Sequence, residues 1–365
     1  MADGRVVVDF VEEVSWSPAD VFRTHDPTLA PQRLFTLRGA GQAKLPDFNP
    51  QYDVFRRVLT LLASIEHPLR AELAVDGTVL SLSVPHVGRV IALFPAEGGW
   101  VSVHVSSCAS PLRLRRGSML LAPLEAALRA KTPLIVSTTD DHEIVAVQEG
   151  THTQGVRRHA LTGADVIPTL TIVTPERAQE LFDAMLQQSC PIPSGFEDCI
   201  PFLLPDNGCW ARAERMCDLL GASQVEAGKL WVFGGLKTRT ENRSDCRAEW
   251  IYHVAPVVRV DTGEADLLVL DPSVFCSVQT TEAWLEALGD TRAVCQLTDR
   301  TVYFQTEPDD GIEERPGKMS ADLKELLAWL LCRSIEKGAP PYARCRPCPN
   351  DRSGGPVEPF EDPRI

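Results

Sequence analysis

Arg247 to Val260 and Ala265 to Leu270 read as two β-strands, and the few residues between them favour a hairpin. Asp261-Thr262-Gly263 fits a three-residue hairpin loop with Gly263 in the left-handed position of a bulge. That loop pairs Val260 with Glu264 and brings His253 opposite Asp271. Directly opposed residues share one face of a sheet, and their side chains meet. A two-residue Thr-Gly loop would slip the register by one and put the two on opposite faces. The pattern therefore favours an antiparallel sheet with an imidazole beside a carboxylate, without forcing it.

Upstream, Pro205-Asp-Asn-Gly-Cys-Trp-Ala-Arg-Ala213 places Cys209 after a turn-forming triplet and at the start of an amphipathic helix that buries Ala213, Met216, Cys217 and Leu220. Free N–H groups and the helix dipole at that position favour the thiolate, the nucleophilic form of cysteine. Cys209, His253 and Asp271 then stand in chain order as nucleophile, base and base-orienter. Asp206 and Asn207 precede the nucleophile, where an amide or N–H groups could meet an oxyanion. The backbone N–H of Cys209 is the first candidate donor. Trp210, Trp231, Tyr252 and Trp284 are candidates to line a cleft. Each of these residues has a plain alternative: a buried thiol, a strand histidine satisfied in the core, a turn aspartate before Pro272, and core aromatics, Trp231 above all.

These blocks resemble the bacterial protein-glutaminases, which deamidate glutamine side chains in proteins. The family pattern is a turn ending in Asp-Gly-Cys, an aromatic residue and Ala-Arg-Ala-His, then Tyr-His-Val-Ala, then Asp-Pro-Ser. Here it stands as Asn207-Gly208-Cys209-Trp210-Ala211-Arg212-Ala213, Tyr252-His253-Val254-Ala255 and Asp271-Pro272-Ser273. Ile200-Pro201-Phe202 and Trp284 also look like the family, and the resemblance runs from about Ala178 to Thr301. It implies an α+β, papain/transglutaminase-like catalytic domain with a Cys209–His253–Asp271 triad that needs no cofactor and no metal. The implied substrate is a protein or peptide carrying a glutamine side chain. Two features depart from the family. Glu214 stands where it usually has His, and no signal peptide is visible, whereas known members are secreted.

At 365 residues the chain is long for one core, so two domains are expected. The expected division is an N-terminal α+β domain over 1–163 with no chemistry-bearing cluster, a catalytic domain over 164–338, and a disordered tail rich in Pro and Gly over 339–365. Tyr52 to Glu66 and Met119 to Ala130 have helical spacing, and Glu72 to Val84 reads as a hairpin around Asp76-Gly77. Val166 to Val173 and Leu230 to Leu236 read as strands. Thr174-Pro175 opens a helix, as Ser320 does for Ala321 to Lys337.

A net charge of −14 argues against nucleic acid as partner. No run of roughly 18 apolar residues marks a membrane span, and acidic residues interrupt the N-terminal apolar stretch, so a cytoplasmic location is expected. The 11 cysteines are then expected to be mostly free thiols packed as small hydrophobes. Cys345-Arg-Pro-Cys348 has the spacing of half a zinc site but lacks a second ligand pair. Oligomeric state has no signal in the sequence. Two other functions fit the same residues: an amide-forming acyltransferase, in which an amine replaces water, and a binding protein that keeps the fold without catalysis.

Overall fold

The computed structural model describes residues 4–14, 34–45, 51–150, 156–158, 162–193, 199–261, 265–303, 312–314, 318–343 and 345. The N-terminal part holds two antiparallel five-stranded sheets. The first is built from β1 (Arg5–Val14), β2 (Leu34–Leu37), β3 (Gly41–Lys44), β4 (Pro68–Leu73) and β5 (Val79–Ser83), in the order β3-β2-β1-β4-β5. Helix α1 (Tyr52–Ser64) packs on it through Phe55, Val58, Leu59 and Leu62, which recur at helical spacing and are all buried. The second holds β6 (His86–Ala96), β7 (Trp100–Val105), β8 (Leu112–Arg115), β9 (Pro133–Thr138) and β10 (Ile144–Glu149), ordered β10-β9-β6-β7-β8. Helix α2 (Leu121–Ala130) covers it with Leu124 and Ala127. The expected Asp76-Gly77 hairpin is present, with Gly77 at φ 80°.

A short strand β11 (Val156–Arg158) leads into the rest of the chain. There β12 (Ile172–Val173), β13 (Gly228–Arg239), β14 (Arg247–Asp261), β15 (Ala265–Val269), β16 (Gln279–Thr280) and β17 (Val294–Asp299) form the third sheet, and β18 (Ile312–Glu314) pairs with β11. Its order is β16-β15-β14-β13-β17, with β12 parallel to β14 and the other pairs antiparallel. Helix α3 (Pro175–Leu186) starts at Thr174, whose hydroxyl accepts from the N–H of Arg177 at 3.2 Å. Helix α4 (Cys209–Ala222) turns Met216, Cys217 and Leu220 towards α3, and Cys209, Trp210 and Ala213 towards the core of the sheet. Helices α5 (Thr281–Ala287) and α6 (Lys318–Lys337) complete the α+β fold.

Helix α6 belongs to two cores. Leu323, Leu326 and Leu330 pack into the core around Cys209, while Leu327, Ala328 and Leu331 join the N-terminal core under α1. The helix thereby ties the core of the first N-terminal sheet to the core of the third sheet.

The structure corrects several sequence expectations. Val166 to Val173 is not one strand: two 3-10 turns at 163–165 and 167–169 precede the two-residue β12. Pro168 has no N–H to give a ladder. The missing Cβ of Gly221, near the end of α4, admits the Arg300 guanidinium. The cysteines are not mostly free: Cys190–Cys199 and Cys246–Cys345 are disulfides, and Cys276 is disulfide-bonded too. The tail begins anchored, with Cys345 bonded and the Tyr342 N–H donating to the Glu241 carbonyl at 2.8 Å. Residues 346–365, including Cys348, lie outside the described residues, as does His159. No described helix is long and apolar enough to cross a membrane.

Candidate active site

The turn before Cys209 has no ladder of its own, so side chains hold its carbonyls. The buried Arg212 guanidinium, one helical turn beyond Cys209, donates to the carbonyls of Leu204 (2.8 Å), Asn207 (2.5 Å) and Pro205 (3.4 Å). The Trp250 indole donates to the Pro205 carbonyl from the other side at 2.9 Å. Gly208 closes the turn at φ 71°, and a Cβ there would lie 2.1 Å from Leu326 Cδ1. Only glycine meets both demands. Cys209 is thereby set as the first residue of α4, 1% exposed, where the helix dipole favours an anion.

His253 sits mid-way along β14, and its Nε2 lies 2.8 Å from Asp271 Oδ2. The route to this contact differs from the expected one. The strands pair Val260 with Asp266 and Val257 with Val269, two residues out from the expected register. A slip of two preserves the face, and Asp271, just beyond the end of β15, still reaches the ring. Asp271 is fixed by the Ser273 hydroxyl (2.5 Å) and the Trp284 indole (3.0 Å). Burial opposes its ionisation, but His253 and these donors outweigh it and hold the carboxyl below the ordinary range. Burial likewise works against a charged His253. Asp271 and the nearby Cys209 thiol overcome it and raise the imidazole to about 9. Trp250 stacks on the ring, centroids 4.7 Å apart.

The Nδ1 of His253 has no hydrogen-bond partner among the described residues. Cys209 is close enough to favour the charged ring. The arrangement offers a thiol at a helix start, an imidazole with one open nitrogen, and a carboxylate fixing the other. It is suited to nucleophilic attack with proton transfer.

The remaining expected site residues are placed otherwise. Asp206 is buried and paired with Arg243 (3.3 Å) and Arg333 (2.5 Å); burial alone would raise its carboxyl, but the two guanidiniums hold it well below the usual carboxylate range. The Asn207 side chain accepts from the Ala109 N–H at 3.0 Å and donates to the Ser107 carbonyl at 3.1 Å. An oxyanion role for either side chain does not fit those contacts. The Trp210 indole donates to Asp322 (2.8 Å), and the ring lies 6.3 Å from that of Tyr252. Tyr252 is fully buried, and burial pushes its phenol well up. Trp231 is a core residue bonded to Thr298. Glu214 forms an ion pair with the fully buried Lys229 of β13, whose Nζ also donates to the Val302 carbonyl at 2.7 Å.

The sequence reading missed the segment Ser107–Ser110, which lies over the turn. Ala109 packs in the same core as Cys209. Its carbonyl accepts from the Ile251 N–H at 2.8 Å, and the Ser110 hydroxyl reaches the carbonyls of Asp206 (2.8 Å) and Glu249 (2.7 Å). Ile251 is available because the β13–β14 ladder jumps from Phe233↔Tyr252 to Leu236↔Trp250, and the Gly234-Gly235 bulge leaves it unmatched. The adjacent glycines were the only local signal of this.

Residues 178–288 match the family described as Glutaminase, and all three residues brought together above lie within that span. This region belongs to the protein-glutaminase family. Its fold is similar to a solved pro-protein-glutaminase at 22% identity and TM-score 0.52, over 71% of this chain and 97% of that one. The A47Q2 mutant of pro-protein-glutaminase gives 21% identity and TM-score 0.50, over 71% and 98%. The shared portion exceeds everything from residue 164 onwards, so the likeness of fold extends beyond the protein-glutaminase region into the N-terminal sheets. No curated protein matches the chain.

Proposed function

We propose that the protein deamidates glutamine side chains of a protein or peptide, with Cys209 as nucleophile, His253 as acid and base, and Asp271 as its orienter. The observation that carries this reading is the fixed His253–Asp271 pair facing a cysteine at a helix start, within a region that belongs to the protein-glutaminase family. From the thiolate–imidazolium form of the pair, in which the thiol proton rests on His253, the thiolate attacks the carboxamide carbon. The tetrahedral oxyanion is held by backbone N–H groups, that of Cys209 first. His253 returns the proton to the departing nitrogen, which leaves as ammonia, and a thioester remains. Water deprotonated by His253 then attacks the thioester, giving glutamate and the free thiol.

A substrate cannot reach a thiol that is 1% exposed. The same reading therefore makes the N-terminal sheets a cover, with Ser107–Ser110 as the part that closes the site, and makes the intact chain latent. The disulfides fit maturation in an oxidising compartment better than the expected cytoplasmic location.

The test is ammonia release from a blocked glutamine peptide and from unfolded casein, by the intact chain and by the chain after brief proteolysis. Cys209→Ala is carried through both. Release after proteolysis that is absent from Cys209→Ala supports the reading. Equal release from the two chains, or none under any condition, refutes it.

A further inference from the structure

The covering segment is flanked by two histidines. The Cys108 sulfur lies 3.8 Å from His86 Nε2, and the Arg113 N–H donates to the His142 carbonyl at 2.8 Å. His86 is 2% exposed, and its ring packs 4.6 Å from that of Trp329 on α6. Its Nδ1 has no hydrogen-bond partner among the described residues. The charged and titratable groups facing it are Glu325 of α6, His67 before β4 and His142 of the β9–β10 turn. Glu325 is already committed to His67, 3.5 Å away, and is also influenced by Lys318. His142 is partly buried among Asp206, Asp140, Arg243 and Arg333, where the acids and the guanidiniums already pair.

We propose that acidification opens the Ser107–Ser110 cover, because a proton on His86 puts an uncompensated charge directly beneath Cys108. The proposal rests on the covering role given to this segment above. Burial lowers His86 to about 3 and His142 to about 4, so both are neutral while the cover is closed. An opened segment lets water reach His86 and restores its ordinary value of about 6.5. The folded value is the depressed one, so protons favour the open form: closure is at full strength above about 6.5 and weakens as pH falls. At pH 5 the opening constant rises about 30-fold from His86 alone. His142 adds less because it is only partly buried. His67 acts in the opposite sense. Its raised value, set by Glu325 against the cost of burial, keeps it charged and paired on the acid side. It holds α6 in place while the segment above opens.

The experiment is hydrogen exchange on the intact chain from pH 8 to pH 5, corrected for intrinsic exchange rates. The amides of Ala109 and Ile251 are expected to lose about 30-fold of their protection at pH 5, while those of Met216 and Cys217 in α4 do not change. His86→Phe keeps a ring against Trp329 and abolishes the loss; if it does not fold, His86→Leu serves the same purpose. His142→Asn, at a position with φ 61° that Asn tolerates, reduces the loss. Protection that is flat with pH, an undiminished loss in the His86 variant, or α4 amides opening in step with the cover would each overturn the proposal. Alkylation of Cys209 at pH 8 tests the cover separately. If Cys209 reacts as fast as the exposed Cys295, the covering role itself is wrong.

Discussion

Removing the Glu214 carboxylate tests whether this residue has a structural task in place of the family's histidine. Its partner Lys229 has a side chain with no exposure at all, and its ammonium otherwise donates to the Val302 carbonyl. Leaving one member of a buried pair alone costs about 3–5 kcal/mol. Glu214 is 25% exposed, so water can partly replace the lost oxygen and the expected cost falls to about 2–3 kcal/mol. Glu214→Ala should lower the unfolding free energy by that amount in urea titration, with the denaturant slope unchanged. Lys229→Met in the Glu214→Ala background removes the stranded charge and should recover most of the loss, as apolar replacement of buried pairs does elsewhere. The four proteins form a double-mutant cycle whose coupling should exceed about 1 kcal/mol. A Glu214→Ala cost within about 0.5 kcal/mol of zero, or additive effects at the two positions, would refute the reasoning.

Gly208→Ala faces both a left-handed backbone, worth about 1–2 kcal/mol, and a 2.1 Å contact with Leu326; thermal unfolding should show a loss larger than the backbone cost alone. For His253 the folded value is the raised one, so its pair with Asp271 stabilises fully below about 6.5 and is lost as pH rises through about 9. Urea midpoints of the native chain should therefore decline between those limits, and Asp271→Asn should flatten the decline. The Cys246–Cys345 bridge spans a sequence separation of 99, for which the chain-entropy argument gives about 4–5 kcal/mol. Cys345→Ser should cost more stability than Cys190→Ser, whose bridge spans a separation of 9.

The grouping of Cys209, His253 and Asp271 was legible because each position is governed by local rules. A turn triplet precedes a helix, and two strand patterns are separated by a short loop. Even the wrong register led to the right pair, since an error of two residues leaves parity intact. The misses have a common physical origin. Asp206 and Asn207 were read by their nearness to Cys209 in sequence, but their partners are Arg243, Arg333, Ser107 and Ala109, up to about 127 residues away along the chain. Disulfide pairing has the same non-local character: Cys246 and Cys345 have no shared local pattern.

The double membership of α6 explains why the site depends on both parts of the chain. Helical spacing shows that Leu323, Leu326, Leu327, Leu330 and Leu331 are apolar on adjoining faces, but not that one set packs beside Gly208 and the other under α1. The same helix carries Asp322 to Trp210, Arg333 to Asp206, and Glu325 and Trp329 to His67 and His86. It therefore contacts the turn that positions the thiol and also the groups beneath the segment that hides it. A change in α6 such as Trp329→Ala should thus be felt in the protection of Ala109, because Trp329 packs on His86 beneath the segment. A variant that left that amide unchanged would show that the two ends of the helix act independently.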